Sequence, residues 1–426
     1  MPLTTPAERL IFPHPHLWLP MPRFSRRRCC CEECPCETTG EPGGTVEWFS
    51  HTVEDGVITR VDHEDPCITY WVDSTGGDPG GEGVWPETGT GTEDDPWINL
   101  YSVFNDDGIY CSCTTEGCPM VKVLVKGTID YRVGSGLGDY LRRLVLEPWG
   151  EGRITIHPTD PNDVEYTAVY NIEGCVWKHT DATFDNPDCQ FGAAGFESCY
   201  NSAFDDCTAT GIRVGWGSGY GFAACSDSAF DGCTGTGTSG DEDMGIHGMG
   251  YNQCTGSTFD TCTGIGTCTE GSDGIGFYYC DNSVFNSCDG SCTHDTTSVG
   301  SLEAHGYGFS YTEYCTFISC TGNGVATGPA AAGAISRGFD LCHNSIYDDC
   351  DGTGTSNGST YLQSYGFSNC DNSTFQSCDG VGVVNGTNYL LACGFYHNAP
   401  SSFDDCTTSA PVCVGYSPPC PITCDL

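Results

Sequence analysis

GFESCYNSAFDDC, residues 195–207, returns as GFAACSDSAFDGC at 221–233, GYNQCTGSTFDTC at 250–262 and GFYYCDNSVFNSC at 276–288. Four further copies follow: GFSYTEYCTFISC from Gly308, GFDLCHNSIYDDC from Gly338, GFSNCDNSTFQSC from Gly366 and GFYHNAPSSFDDC from Gly394. Successive copies start 26 to 32 residues apart, and the variation is confined to the Gly/Thr/Ser-rich segment between them. A fixed unit with one variable segment describes a solenoid, in which each coil touches only its neighbours and insertions go to one loop. Two short strands, a tight corner, a third strand and a loop fill this length, and at the spacing of neighbouring strands eight coils span about 38 Å.

Stacking sets like residues above one another. The aromatic files, Phe196 to Phe395 and Phe204 to Phe403, read as core, each ring contributing about 2–3 kcal/mol on burial and more through stacking. Asn201, Asp227, Asn282, Asn344 and Asn372 share one position with Gly256, a set that suits a corner because these residues tolerate left-handed backbone or form Asx-turns. Two cysteine files complete the pattern. One holds Cys199, Cys225, Cys254, Cys280, Cys342 and Cys370, with Thr312 and Asn398 in the remaining copies; the other holds Cys207, Cys233, Cys262, Cys288, Cys320, Cys350, Cys378 and Cys406. Neighbours in a file stand about 4.8 Å apart at Cα, inside the span a disulfide accepts, although parallel Cβ directions are not its ideal approach. Two readings stand: thiols joined along the files, or free thiols acting as small fillers of a tight interior corner.

Upstream of the repeat, VKVLVKGTIDY, LRRLVLEPW and RITIHP read as strands, and Pro96 to Phe104 as a helical turn or two. The division expected is a Pro/Arg/Cys-rich disordered tail at 1–40, an N-terminal cap with the first coils at 41–180, the cysteine-ladder repeats at 181–408 and a Pro/Cys-rich tail at 409–426. The fold class is all-β: a single-stranded right-handed parallel β-helix with an N-terminal cap.

At this point the pattern resembles the pectin-lyase-like right-handed β-helix proteins, whose coils often read Gly-hydrophobic-x-x-Cys/Asn-x-x-Ser/Asn-x-hydrophobic. Tyr70-Trp71-Val72-Asp73-Ser74-Thr75-Gly76-Gly77-Asp78, followed by Gly91-Thr92-Glu93-Asp94-Asp95-Pro96-Trp97, also looks like the entry to such helices. The resemblance covers roughly residues 68–408 and implies the fold rather than a reaction, since lyases, hydrolases, adhesins and viral fibres share the scaffold. Handedness rests on this resemblance and on the right-handed preference of parallel crossovers.

Candidate chemistry starts with Asp205, Asp231 and Asp260, which follow the second aromatic in successive copies and alternate outward. Such a file is tolerable in water, where like charges at strand spacing repel by only about 0.9 kcal/mol per pair, and a calcium ion is the cofactor that would relieve it. A lyase or hydrolase of the resembling family needs a basic or proton-abstracting group beside carboxylates. Here the repeat offers Arg213 and Arg337, with Asp205-Asp206 and Gly245-Ile246-His247-Gly248 as loose echoes of the hydrolase branch and no Arg-x-Lys. The cluster Cys29-Cys30-Cys31-Glu32-Glu33-Cys34-Pro35-Cys36 has thiolates enough for zinc, though disulfide linkage or attachment fits it equally. His14 and His16, set among prolines, read as tail residues.

Composition narrows the partners. With 57 acidic against 15 basic residues the formal charge is −42, and beyond Phe191 the only basic residues are Arg213 and Arg337. Such a surface repels phosphate backbones, so nucleic acid is excluded as a partner, and carbohydrate, cations or other surface proteins fit better. Thirty-two cysteines favour an oxidising, extracellular or cell-surface location, although Met1 to Arg28 shows no apolar run behind a basic start of the kind a secretory signal has. No transmembrane helix is expected, because no stretch approaches eighteen consecutive apolar residues. The expected function is a structural or adhesive β-helix that binds glycans or cations along an acidic face; the alternative is a polysaccharide lyase or glycoside hydrolase.

Overall fold

The computed structural model describes residues 48–54, 57–63, 68–74, 92–94 and 96 and, from 121 to 414, all but 130–132, 135–140, 143, 159–166, 186–191, 214–216, 241–246, 270–272, 296–303, 329–332, 359–360, 387–389, 399 and 409–411. The cysteine cluster at 29–36, His14 and His16, the entry residues Thr75 to Gly91, the helical turn expected beyond Pro96 and the chain after 414 lie outside the described residues.

One repeat shows the path of the chain. Gly219–Ala223 lies in a first sheet, Ala229–Asp231 in a second and Thr234–Ser239 in a third; Gly248–Asn252 then returns to pair in parallel with Gly219–Ala223. Repetition builds parallel sheets of 11, 12 and 12 strands, a right-handed β-solenoid with no helix among the described residues. None of its elements is therefore a helix long and apolar enough to cross a membrane. The solenoid begins before the cysteine repeat: Ile68–Asp73, Val121–Lys126, Leu144–Pro148 and Val176–Lys178 precede Ala203–Asp205 in the second sheet. In the coil just before the repeat, Val169, Ile172 and Trp177 stand where Phe196, Cys199 and Phe204 stand one coil later. The core thus changes from aliphatic to aromatic along one continuous stack.

The expected corner is present, with φ of 48° at Asn201, 54° at Asp227, 65° at Gly256 and 55° at Asn282. Two further left-handed corners occur in each coil, at positions the sequence pattern leaves open. One runs through Ser198, Ala224, Gln253, Tyr279 and Tyr311, the other through Asp206, Thr261, Ser287 and Ser319. Left-handed backbone costs a non-glycine residue roughly 1–2 kcal/mol. Here that cost is offset by coil-to-coil bonds: Gln253 N–H donates to Tyr278 O at 2.9 Å, and Thr261 N–H to Asn286 O at 2.9 Å. Backbone stacking wins over side-chain preference at these sites.

Inside, the two aromatic files interleave. Phe222 stacks on Tyr251 at 4.9 Å and meets Phe230 edge-on at 5.2 Å, and the same alternation continues to Phe403. The ladder cysteines carry free thiols. Cys225 donates to Ala223 O at 3.3 Å and Cys233 to Asp231 O at 3.3 Å, so each thiol satisfies a carbonyl at its own corner. The two substitutions in the first file bond to neighbouring coils instead: Thr312 Oγ1 donates to Cys342 Sγ at 3.0 Å, and Asn398 Oδ1 accepts from Cys370 N–H at 2.7 Å while its Nδ2 donates to Phe367 O at 3.3 Å. The serine three residues on, present in seven of the eight copies, satisfies a corner carbonyl as the thiols do, with Ser257 Oγ donating to Thr255 O at 3.2 Å and accepting from Ser228 N–H at 3.1 Å; in the Gly308 copy Cys315 takes its place and donates to Glu313 O at 3.3 Å. Burial pushes the Cys225, Cys254 and Cys280 thiols up, away from the reactive thiolate. Of the two readings of the files, the structure shows the free, corner-filling one; Cys393, outside both files, is disulfide-bonded.

Outside the stack, Trp48–Glu54 and Val57–His63 form an antiparallel hairpin that lies against the second sheet. His51 Nδ1 is 2.9 Å from Thr258 Oγ1 there. Strand alternation points Val145, Val176 and Ala203 away from the core on this sheet, yet all three are buried.

Candidate functional site

The first sheet carries an unusual concentration of chemistry on its outer side. Arg337 Nη1 is 2.5 Å from Asp340 Oδ2, although the two residues are three apart on the strand Ala334–Asp340. On a straight strand such residues point to opposite faces, roughly 10 Å apart along the chain. Their contact requires the outer face to fold inward between them. Gly338 permits this, because a Cβ there would stand 2.5 Å from Thr353 N of the third sheet. The same Gly-aromatic pair recurs in every repeat, so the kink stacks into a furrow along the first sheet.

Tyr307, Arg337 and Tyr365 are in register on one bank of the furrow, with the guanidinium 5.5 and 5.7 Å from the two ring centres. Ser310, Asp340 and Ser368 are in register on the other side. Tyr278, Tyr279 and Tyr311 form an aromatic group, with Tyr278–Tyr279 centres at 4.3 Å and Tyr279–Tyr311 at 5.2 Å. Tyr279 and Tyr311 keep 38% and 39% of their surface exposed. Asn252 Oδ1, Ser310 Oγ and Arg337 Nε are buried without a hydrogen-bond partner. Each such atom costs on the order of 1–3 kcal/mol, so three on one face mark a place where a polar ligand has something to satisfy. Burial raises the Asp340 carboxyl above the usual carboxylate range despite the opposing pull of Arg337. Burial likewise raises the Tyr278 phenol, which stays neutral.

At the near end of the same strands, Asp273 Oδ1 is 3.0 Å from His305 Nδ1, and its Oδ2 is 3.5 Å from His247 Nδ1. Burial alone would raise the Asp273 carboxyl, but His305 and His247 outweigh it and hold it below the usual range. Behind them His294, fully buried, accepts a hydrogen bond from His305 N–H at 2.9 Å. Burial pushes the His294 ring down to about 4. The unfolded chain takes up this proton near pH 6.5 and the folded chain only near 4, so stability is expected to fall between those values, by an amount on the order of 3 kcal/mol. Burial pushes the His247 ring down as well and adds to the fall in the same direction, whereas Asp273 adds no slope in that window, since its lowered carboxyl loses its contribution only at more acidic pH. His294→Ser, which installs the residue that Ser239 and Ser356 supply in other coils, should flatten the decline in denaturation midpoint between pH 6.5 and 4. An unchanged slope would show that another group carries it.

The residues singled out by sequence fall on different faces. Asp205, Asp231 and Asp260 are in register on the outer side of the second sheet, in line but not converging, and Asp260 Oδ1 accepts from Asn286 Nδ2 at 2.7 Å. Among the described residues no three His, Cys, Asp or Glu side chains form a group that could hold a metal ion. Asp206 sits at the corner between the second and third sheets, held by Arg153 at 2.7 Å and His179 at 2.9 Å. Burial works against its charge, yet those two partners lower its carboxyl. Arg213 is buried on the inner side of the third sheet, in register with Ser239. Arg337 alone lies in the furrow, so the four catalytic candidates, Arg213, Arg337, Asp205 and Asp206, do not form one site. His247, the described histidine of the Gly-Ile-His-Gly echo, joins Asp273 instead. Sequence does not single out Tyr278, Tyr279, Tyr311, Ser310 and Asp340, because they occupy the two unspecified positions after the Gly-aromatic pair, nor Tyr307 and Tyr365, which stand just before the glycine in the variable segment. Their one sequence signal is the run of polar and aromatic residues there in the middle copies.

No protein-family model matches this chain, and no curated protein matches it.

Proposed function

We propose that the chain is a carbohydrate-binding β-helix of the cell surface or extracellular space, and that an uncharged oligosaccharide lies in the first-sheet furrow. The observation that carries this reading is the juxtaposition of exposed Tyr279 and Tyr311 with the unpaired polar atoms of Asn252, Ser310 and Arg337. Sugar rings present apolar faces to aromatic platforms and hydroxyls to fixed donors and acceptors, which is this combination. Asp340 neutralises Arg337, and the net charge of −42 disfavours polyanions, so neutral sugars fit better than uronates. The repeat's resemblance to pectin-lyase-like proteins supports a glycan ligand.

The hydrolase alternative draws on Asp273 and Asp340, whose carboxyls are shifted in opposite directions. Register puts them two coils and five strand positions apart. That exceeds the roughly 5–9.5 Å between the carboxyls of a hydrolase pair, so binding is the better reading. Calcium on the Asp205 file is likewise not adopted, since calcium takes about six to eight oxygens and the file supplies one carboxylate per coil.

The test is retention on an immobilised panel of neutral and uronate-containing oligosaccharides. The wild-type chain is expected to bind neutral members, and the double variant Tyr279→Ala/Tyr311→Ala to bind them about 10- to 100-fold more weakly, the usual cost of removing aromatic anchors. Asp231→Asn, on another face, should bind normally. Equal binding by the tyrosine variant, or release of shortened or unsaturated sugars, would refute the reading.

A further inference from the structure

The third sheet has an outer face unlike the rest of this acidic molecule. In its strands most inward residues are glycine or small, Arg213 and His294 excepted, while Thr, Val and Ile predominate outward beside Ser291 and Asn323, as in Thr234–Ser239, TGTGTS, and Thr263–Cys268, TGIGTC. Thr236 and Ile265 stand in register in one outward file, and Thr238, Thr267 and Thr293 in the next. Both files continue through the seven strands from Thr208–Arg213 to Asp379–Asn385 without a charged residue. Neighbours are about 4.8 Å apart along a file and roughly 6.7 Å apart across the strand, so the side chains form a two-dimensional grid. All residues of the two files but Ser291 and Asn323 are β-branched and restricted at χ1, which stiffens the grid. Backbone contact with the first sheet supports it from behind, since a Cβ on Gly264 would stand 2.6 Å from Gly276 O. The hydroxyls of Thr236, Thr238, Thr267 and Thr293 make no hydrogen bond to another described residue.

We propose that this face binds ice. A regularly spaced grid of hydroxyls and methyls offers a crystalline water surface repeated anchor points, and the rigid sheet loses little freedom on contact. Other occupants fit less well. With the outward file beside it, Thr208 to Asp379, which carries Asp289, Asp351 and Asp379, the grid covers about 400 Å², half of the roughly 800 Å² a stable protein partner buries, and it has no aromatic or Arg anchor. It lacks the concavity a small ligand needs, and an ionic mineral would select charged side chains, which here are confined to the flanking file.

Freezing of the full chain in solution, followed by nanolitre osmometry and by the partition of protein into a growing ice mass, tests this. The wild-type chain should open a gap between melting and freezing points, facet the crystals and enter the ice. Thr267→Lys, at the centre of the grid and pointing outward, should lose about tenfold in the gap with an unchanged thermal melt, as expected for one central contact of a flat interface. Tyr279→Ala/Tyr311→Ala, on the opposite furrow, should keep the whole gap. Exclusion of the wild-type chain from ice, an undiminished gap in Thr267→Lys, or loss of the gap in the furrow variant would each overturn the proposal. Because the furrow is read by sugar retention and the grid by ice, failure of one leaves the other standing.

Discussion

Gly250→Val is expected to destroy the native stack around its coil, with a loss beyond about 4–5 kcal/mol, the range reserved for steric conflict in a packed interior. A Cβ on Gly250 would stand 2.4 Å from Ile265 N, 2.7 Å from Gly264 Cα and 2.7 Å from Gly276 O. All three atoms are backbone of neighbouring strands, so nothing can rotate away. Because coils depend on their neighbours, the damage should spread along the solenoid. Gly256→Asn supplies the control. Gly256 has φ of 65°, the nearest atom to its added Cβ is the movable Asp227 Oδ1, and asparagine already occupies the same corner at Asn201 and Asn282. Soluble yield and chemical denaturation should separate the two, with Gly256→Asn within about 0.5 kcal/mol of wild type. If both glycines tolerate substitution alike, the first and third sheets are not in backbone contact.

Phe277→Ala is expected to cost about 3–5 kcal/mol, the usual range for an emptied aromatic site in a core. The ring stacks on Tyr251 at 4.6 Å and Phe309 at 4.7 Å, and meets Phe259 and Phe285 edge-on at 5.5 and 5.3 Å. Removing it leaves four rings facing a void that the two fixed backbones cannot close. Phe277→Leu should cost less, because the cavity is partly filled. The denaturation midpoint decides, and a loss below about 1 kcal/mol would mean that the aromatic files do not carry the core.

The fold was legible because its constraints repeat. Gly, the two aromatics and the cysteines recur at fixed offsets, and each offset is one place in a coil where only a narrow class of residue fits. The corner at Asn201 was legible for the same reason. The corners at Tyr279 and Thr261 were not, since stacked backbone bonds impose left-handed geometry on residues with no preference for it. The early coils were legible only as strands, because Leu146, Ile156 and Ile172 fill the core there without the repeat's signature. The furrow was largely invisible. Its residues sit at the variable offsets, and what brings Arg337 to Asp340 is the kink at Gly338, a feature of three dimensions. The acidic doublets drew attention to Asp205 and Asp206 although these lie on another face, where Asp206 is committed to Arg153 and His179.

The central functional claim is that the first-sheet furrow, and no other face, holds a neutral glycan. Diffraction from crystals of the full chain soaked with the best-retained neutral oligosaccharide tests it most directly. The expected result is a sugar chain lying along the furrow, with rings over Tyr279 and Tyr311 and hydroxyls on Ser310 Oγ and Arg337 Nε. A sugar bound on the second or third sheet, with the furrow holding only solvent, would contradict it.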